Sequence, residues 1–269
     1  MRQDHILSRR MMLSELGRGT MAVAILGTAV VSCGSDSAET AAPSATTAAD
    51  PTATSTPPPE PVAETEAATE AEVPALRWER VSFDFVSAYV LARNNEVAIV
   101  DTGVSGSTDR FDGAFDALSV GWDDVDHVIL THLHPDHVGG LGEVLGAAPD
   151  AMAYAGEADV AAIDSPRSLG ALNDGDEVFG LRIIGTPGHT AGHISVLDPD
   201  GSLLVAGDAL NEQGGAITGP NPDFTADLEL ANDSARRMGT LAFDAAVFGH
   251  GEPVVGMADQ LVADLVATL

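Results

Sequence analysis

Thr131-His132-Leu133-His134-Pro135-Asp136-His137 crowds three histidines and an aspartate into one short stretch. Neutral imidazoles and carboxylates are the ligand types that zinc and related divalent cations take. Buried together without a cation, they would be desolvated polar groups competing for too few partners. The stretch therefore reads as a metal site rather than as core. The apolar run Val128-Ile129-Leu130 before it reads as a buried strand. That places the ligand types on a tight loop at the strand's carboxyl end.

The same device recurs downstream. An apolar run from Leu181 to Ile184 precedes Thr186-Pro187-Gly188-His189-Thr190. Leu203-Leu204-Val205-Ala206-Gly207 ends on Asp208, and Ala246-Val247-Phe248-Gly249 ends on His250 before Gly251. Each is a hydrophobic strand, a small residue and a polar ligand type. Glycine beside a ligand lets the backbone turn sharply and come close to a metal.

The motifs HLHPDH, PGHTAGH, GDAL and FGHG follow an earlier Ile99-Val100-Asp101-Thr102-Gly103. In kind and order they resemble the successive motifs of the metallo-β-lactamase-fold hydrolase superfamily, over roughly residues 77–269. The resemblance implies an α/β fold, a four-layer αββα sandwich. It implies that His132, His134 and His189 hold one metal, that Asp136, His137 and His250 hold a second, and that Asp208 bridges them. The implied cofactors are two divalent metal ions, zinc being the expected one, with Asp136 and Asp208 as catalytic residues. The implied reaction is cleavage of an ester, thioester or lactone in a small-molecule substrate by a metal-bound hydroxide. His137 directly after Asp136 is similar to the glyoxalase II-like and lactonase-like branches. Class B β-lactamases usually lack that histidine and often place a cysteine at the second metal, whereas this chain has one cysteine, Cys33. Two alternatives stay open: an iron-dependent sulfur dioxygenase on the same fold, and a metal-binding module without catalysis.

Other polar residues have quieter readings. His127 reads as a surface or strand-edge histidine. His193, four residues after His189, reads as a partner of the ligands rather than a ligand. Asp101 stands in Asp-Thr-Gly, a good turn sequence, and by resemblance lies beneath the site and orients a ligand or loop. The stretch Asn211 to Asp223 is rich in glycine and proline and contains no lysine or arginine. It is either a wall over the metals or a plain surface loop.

The amino-terminal residues concern address. Arg2, Arg9, Arg10 and Arg18 are followed by the apolar run Met21 to Ser32 and then Cys33. The run falls short of the roughly 20 apolar residues that span a bilayer and fits a secretory signal over residues 1–32. Val30-Val31-Ser32-Cys33 resembles a bacterial lipobox, and Ser8-Arg9-Arg10-Met11-Met12-Leu13 resembles a twin-arginine export signal. The expectation is an exported protein, lipid-anchored through Cys33 to the outer side of the cytoplasmic membrane. Residues 33–76 are dominated by alanine, threonine, proline and glutamate. Such a segment buries too little apolar surface to offset its ordering entropy and reads as a disordered tether. At roughly 3.3 Å per residue it reaches on the order of 140 Å. Residues 77–269 form the expected catalytic domain.

The formal net charge is −29, from 12 basic and 41 acidic residues, and every basic residue is arginine. So acidic a surface repels phosphate backbones and excludes a nucleic acid partner. Apolar runs at 81–85, 89–92, 97–100, 128–130, 151–154, 181–184, 194–197, 203–206 and 245–248 predict strands. Phe111, Phe115 and Leu118 predict a helix with Asp112 and Asp116 on its polar side, and Leu261 and Leu265, with Val262 as an alternative member of the stripe, predict a last helix.

Overall fold

The computed structural model describes residues 74–269. The expected export signal, the Cys33 anchor and all but the last three residues of the expected tether lie outside them. The first half builds one sheet from β1 (Arg77–Ser82), β2 (Ser87–Arg93), β3 (Glu96–Val100), β4 (Val125–Leu130), β5 (Met152–Gly156) and β6 (Gly170–Leu172). They lie in that order, antiparallel from β1 to β3 and parallel from β3 to β6. Packed on this sheet are α1 (Asp112–Leu118), α2 (Pro135–Val138), α3 (Leu141–Ala147) and α4 (Glu157–Val160).

The second half builds another sheet from β7 (Glu177–Val178), β8 (Leu181–Gly185), β9 (Ile194–Leu197) and β10 (Leu203–Val205). The chain then leaves the sheet for a separate hairpin, β11 (Asn211–Gln213) and β12 (Ala216–Thr218). It runs through α5 (Leu228–Met238), returns as β13 (Ala245–Val247) and β14 (Val254–Val255), and closes with α6 (Ala258–Val266). The spatial order is β14-β13-β10-β9-β8-β7, with β13 parallel to β10.

Both faces of each central strand are buried, as strands covered on two sides require. Along β2, Ala88, Val90 and Ala92 pack outward with Phe111, Phe115 and Leu118 of the α1 region and Leu141, Val144 and Leu145 of α3. The alternate residues Tyr89 and Leu91 pack inward with Ile183, Val196, Val205 and Val247 of the second sheet. That sheet's outer face, through Ile184, Leu204, Ala246 and Phe248, packs on Ala235 and Met238 of α5 and Val262 of α6. Three apolar layers between four layers of structure make the αββα sandwich.

Two predicted details shift. The run 81–85 is not a strand as a whole: β1 ends at Ser82, and the chain turns through Asp84 at φ 72°. In the last helix, Leu261 is exposed and Val262 is buried. Because α6 starts at Ala258, the stripe facing the core is Ala258, Val262, Leu265 and Val266 at i, i+4, i+7 and i+8.

One buried ion pair ties the sheets together. Arg93 at the end of β2 reaches Asp198, just beyond β9, at 2.5 Å, and its other amino group donates to the carbonyls of Phe179 and Gly180. Arg93→Ala strands the Asp198 carboxylate in the interior. The variant is expected to lose about 3–5 kcal/mol of unfolding free energy, measured by urea denaturation followed by circular dichroism.

Candidate metal centre

Strand direction assembles the centre. Since β3, β4 and β5 are parallel, and β13 is parallel to β10, the segments after their carboxyl ends meet at one edge of the sandwich. Asp101 follows β3, the loop 131–134 and α2 follow β4, Asp208 follows β10, and His250 follows β13. His189 comes from the turn between β8 and β9. The backbone N–H of Ile194 donates to the carbonyl of Thr131 at 2.8 Å and locks that turn to the first ligand loop.

Three sets of candidate ligand atoms converge: His132, His134 and His189; His132, His137 and Asp208; Asp136, His137 and His250. His132 Nε2 and His189 Nε2 lie 3.0 and 2.9 Å from His134 Nδ1. The Asp208 carboxylate sits between the groups, with Oδ1 3.3 Å from His137 Nε2 and Oδ2 3.4 Å from His189 Nε2 and 3.2 Å from His250 Nε2. Asp136 Oδ2 is 3.5 Å from His250 Nε2. All seven residues singled out in the sequence thus come together.

The hydrogen bonds around them assign the tautomers. Thr131 Oγ1 donates to Asp101 Oδ2, so at 3.0 Å it accepts from His132 Nδ1–H. Asp101 Oδ2 accepts from His137 Nδ1–H at 2.8 Å. Thr225 Oγ1 donates to the carbonyl of Asn221 and accepts from His189 Nδ1–H at 3.2 Å. The Phe85 carbonyl accepts from His250 Nδ1–H at 2.6 Å. Four imidazoles therefore turn an Nε2 lone pair inward, as ligands held by outer partners do. Among the described residues, His137 Nε2 and Asp208 Oδ1 are buried with no hydrogen-bond partner. Orphaned buried atoms of these types, aimed at one point, fit a divalent cation.

Electrostatics agree. Burial, reinforced by the neighbouring imidazoles, holds His132 well below its ordinary value, and burial carries His189 down to about 4. Burial also acts against a charged His137, but Asp101 and Asp208 outweigh it and push that imidazole up to about 9. The hydrogen bond to Asp208 raises His250. Burial disfavours a charged Asp208, yet His137 and His250 keep its carboxyl below the usual carboxylate range. A cation at the Asp136, His137 and His250 set has to displace those protons.

Backbone shape is tuned to the same end. Asp101 occupies the left-handed region at φ 62°, which brings its carboxylate under both Thr131 and His137. Its Oδ1 also accepts the Thr131 backbone N–H at 2.7 Å. It fixes His137, a candidate ligand. A Cβ on Gly249 would overlap Asp208 Oδ1 and the His137 ring, so only glycine lets these elements close.

His193 is fully enclosed and belongs to none of the three converging sets. Its Nε2 accepts the Asp208 backbone N–H at 3.0 Å, so its Nδ1–H donates to Thr186 Oγ1 at 2.8 Å. Thr186 then donates to Ser195 Oγ, which donates to the Ala206 carbonyl. Burial pushes His193 down to about 3. His127 lies away from the site, half-buried on β4 between the rings of Tyr154 and Phe179.

Sequence reasoning missed Asp159. It is fully buried on α4 and accepts from the Leu133 N–H at 3.1 Å, from Thr190 Oγ1 at 2.6 Å and from the Gly192 N–H at 2.7 Å. One carboxylate thus clasps the His132–His134 loop to the His189 turn. The available signal was faint: Gly156 ends a strand, as the glycines of the ligand motifs do, but the acid comes three residues later rather than next to it.

Residues 81–250 match the family model described as Metallo-beta-lactamase superfamily. The chain is 30% identical over 197 residues to the uncharacterized protein YobT of Bacillus subtilis, covering 62% of this chain and 83% of that protein. It is 30% identical to a hydroxyacylglutathione hydrolase of Aeromonas salmonicida over 60% of this chain and 58% of that enzyme. It is 28% identical to the thioesterase pkgB of Emericella nidulans over 51% of this chain, spanning 37% of that enzyme. Among solved structures it resembles a metallo-beta-lactamase family protein from Thermus thermophilus, with TM-score 0.57, 27% identity and coverage of 74% of this chain and 80% of the other.

Two outcomes follow from these contacts. Asp159→Ala frees both candidate ligand loops and is expected to weaken divalent-metal binding about tenfold to a hundredfold, measured by competition with a chromophoric chelator, with Asp159→Asn recovering part of the loss. His193 is neutral when folded, so protonation opposes folding. Its contribution is complete above about 6.5 and falls away as the pH drops from there toward 3. Between pH 6 and 4 the metal-free protein is expected to lose up to about 1.4 kcal/mol per pH unit through this residue. His193→Gln, which keeps both hydrogen-bonding roles without titrating, should show a shallower loss in denaturant midpoints.

Proposed function

Because the chain belongs to the metallo-beta-lactamase superfamily, its family model spanning residues 81–250, we propose that it is a binuclear metal-dependent hydrolase of esters, thioesters or lactones. The observation that carries this reading is Asp208, whose two oxygens face ligand histidines of both expected metal positions within 3.4 Å. His132, His134 and His189 would hold one cation, Asp136, His137 and His250 the other, and Asp208 both. When bound, a pair of divalent cations, zinc by this proposal, lowers the pKa of a nearby water to about 7 and polarises a carbonyl.

The chain's own residues supply the rest. Asp101, Thr131, Thr225 and the Phe85 carbonyl fix the imidazoles, so little reorganisation is needed during the reaction. Asp136 is the half-open carboxylate of the cluster and borders the cleft. This reading gives it the task of accepting the proton of the attacking water at a carboxylate oxygen. The water oxygen adds to the carbonyl carbon, the bond to the leaving oxygen or sulfur breaks, Asp136 returns the proton to that leaving atom, and the acid and the alcohol or thiol depart. The named hydrolase and thioesterase relatives support the reaction class and leave the substrate open. We also propose, from the lipobox-like and twin-arginine-like stretches alone, that the protein is exported and anchored through Cys33. No helix among the described residues is long and apolar enough to cross a membrane.

Elemental analysis of the purified chain is expected to give about two metal ions per molecule. Asp208→Ala is expected to lower kcat/KM by about a hundredfold or more, since several kcal/mol of charge stabilisation go with the bridge. A variant that keeps its hydrolysis overturns the bridging role.

A further inference from the structure

The ligand cluster opens into a cleft of about 1100 Å³, bordered by His134, Asp136, Asp208 and His250 on the floor and by the β11–β12 hairpin and the segment leading to α5 on the wall. That volume exceeds what a carbonyl and a water need and matches drug-sized ligands. The wall is apolar in an unusual way. Phe85 and Phe224 are 61% and 68% exposed, and both line the cleft together with Leu228 and Leu269. Large exposed apolar side chains gathered in one concavity mark a binding surface rather than scattered surface residues.

Both rings are held in place from the metal side. The Phe85 carbonyl fixes His250, and the Phe85 ring stacks on the His250 ring with an interplanar angle of 12°. Phe224 immediately precedes Thr225, which fixes His189. One ring is thereby tied to each half of the ligand set. The charges are equally pointed. Among the described residues no arginine lines the cleft, and its charged walls are carboxylates, Glu212 beyond the ligand acids. Of the described arginines nearest in sequence to these walls, Arg80 pairs with Glu252, Arg236 with Asp233 and the Leu269 carbonyl, and Arg237 with Asp174.

We propose that the cleft takes a neutral substrate with an apolar acyl chain, laid between Phe85 and Phe224, and that it rejects thioesters of anionic carriers such as glutathione. This rests on the hydrolase reading and narrows it. Hydrolysis adds one water across the acyl–oxygen or acyl–sulfur bond, releasing a carboxylic acid and a neutral alcohol or thiol, with no other reactant. A glutathione leaving group brings two carboxylates into walls that offer them no cationic side chain, and an apolar chain covers surface otherwise left to water.

The test uses the metal-loaded protein and p-nitrophenyl esters from acetate to octanoate, beside S-lactoylglutathione. The expected kcat/KM rises about threefold to fourfold per methylene until the chain outgrows the cleft, and exceeds that for lactoylglutathione at least tenfold for the longer esters. Phe224→Ala should cut the octanoate-to-acetate ratio about tenfold, and Phe224→Leu should restore most of it. A flat chain-length profile, or a preference for lactoylglutathione, overturns the proposal. If no ester is hydrolysed, the hydrolase reading fails separately, and binding decides this one. Titration with octanamide, followed by amide chemical shifts, should perturb residues 211–228 at concentrations where reduced glutathione does not. Octanamide leaving those shifts unmoved overturns the proposal.

Discussion

The Asp208 carboxylate, buried against three imidazole nitrogens that arrive from three separate segments, helix α2 and two loops, is the constraint around which the molecule is organised. A buried carboxylate is tolerable only where positive charge or donors surround it. Here the surrounding groups are themselves short of partners, as the orphaned His137 Nε2 and Asp208 Oδ1 show. The centre is therefore a local deficit of hydrogen-bond partners within the interior. The sheets, with their buried Arg93–Asp198 pair and three apolar layers, supply the stability that holds it closed.

A second tier of polar residues converts that rigidity into geometry. Asp101 reaches Thr131 and His137, Asp159 joins two ligand loops, and His193 carries the backbone of Asp208. Each is almost entirely enclosed and directs its hydrogen bonds to ligand residues or to the loops that bear them. The Tyr89 hydroxyl does the same at longer range. It donates to the Phe248 carbonyl at 2.8 Å and accepts the Phe248 N–H, fixing the strand end that delivers His250. Burial raises that hydroxyl to about 12, so it stays protonated and structural.

The ligand set was legible because its residue types are costly to bury and sit beside glycine after apolar runs. The long strands were legible for a related reason: with both faces covered they read as unbroken hydrophobic runs. The short strands β6, β7 and β14 were not, because none lies in an unbroken apolar run of four residues, as the equally short β10 and β13 do. Asp159 was invisible because its partners are two backbone amides and a threonine remote in sequence, and such partners leave no trace in spacing. The aromatic pair on the cleft was hidden for the opposite reason. An isolated phenylalanine reads as core, and only the fold shows Phe85 and Phe224 standing in water.

The β11–β12 hairpin belongs to neither sheet, and this bears on how such a protein changes over generations. Its base is bound to the centre: the Glu212 N–H donates to the His250 carbonyl, the Glu212 carboxylate accepts from the Glu252 N–H, and the Glu212 backbone lies against Gly251. Its tip, Gly214-Gly215, meets nothing within 4 Å of where a side chain would begin. Inherited insertions are thus cheap at the tip, where Gly214 and Gly215 at φ 65° and 90° themselves favour glycine, and ruinous at the base. A lineage can explore new substrates by lengthening the tip while the candidate metal-binding residues pass through unaltered.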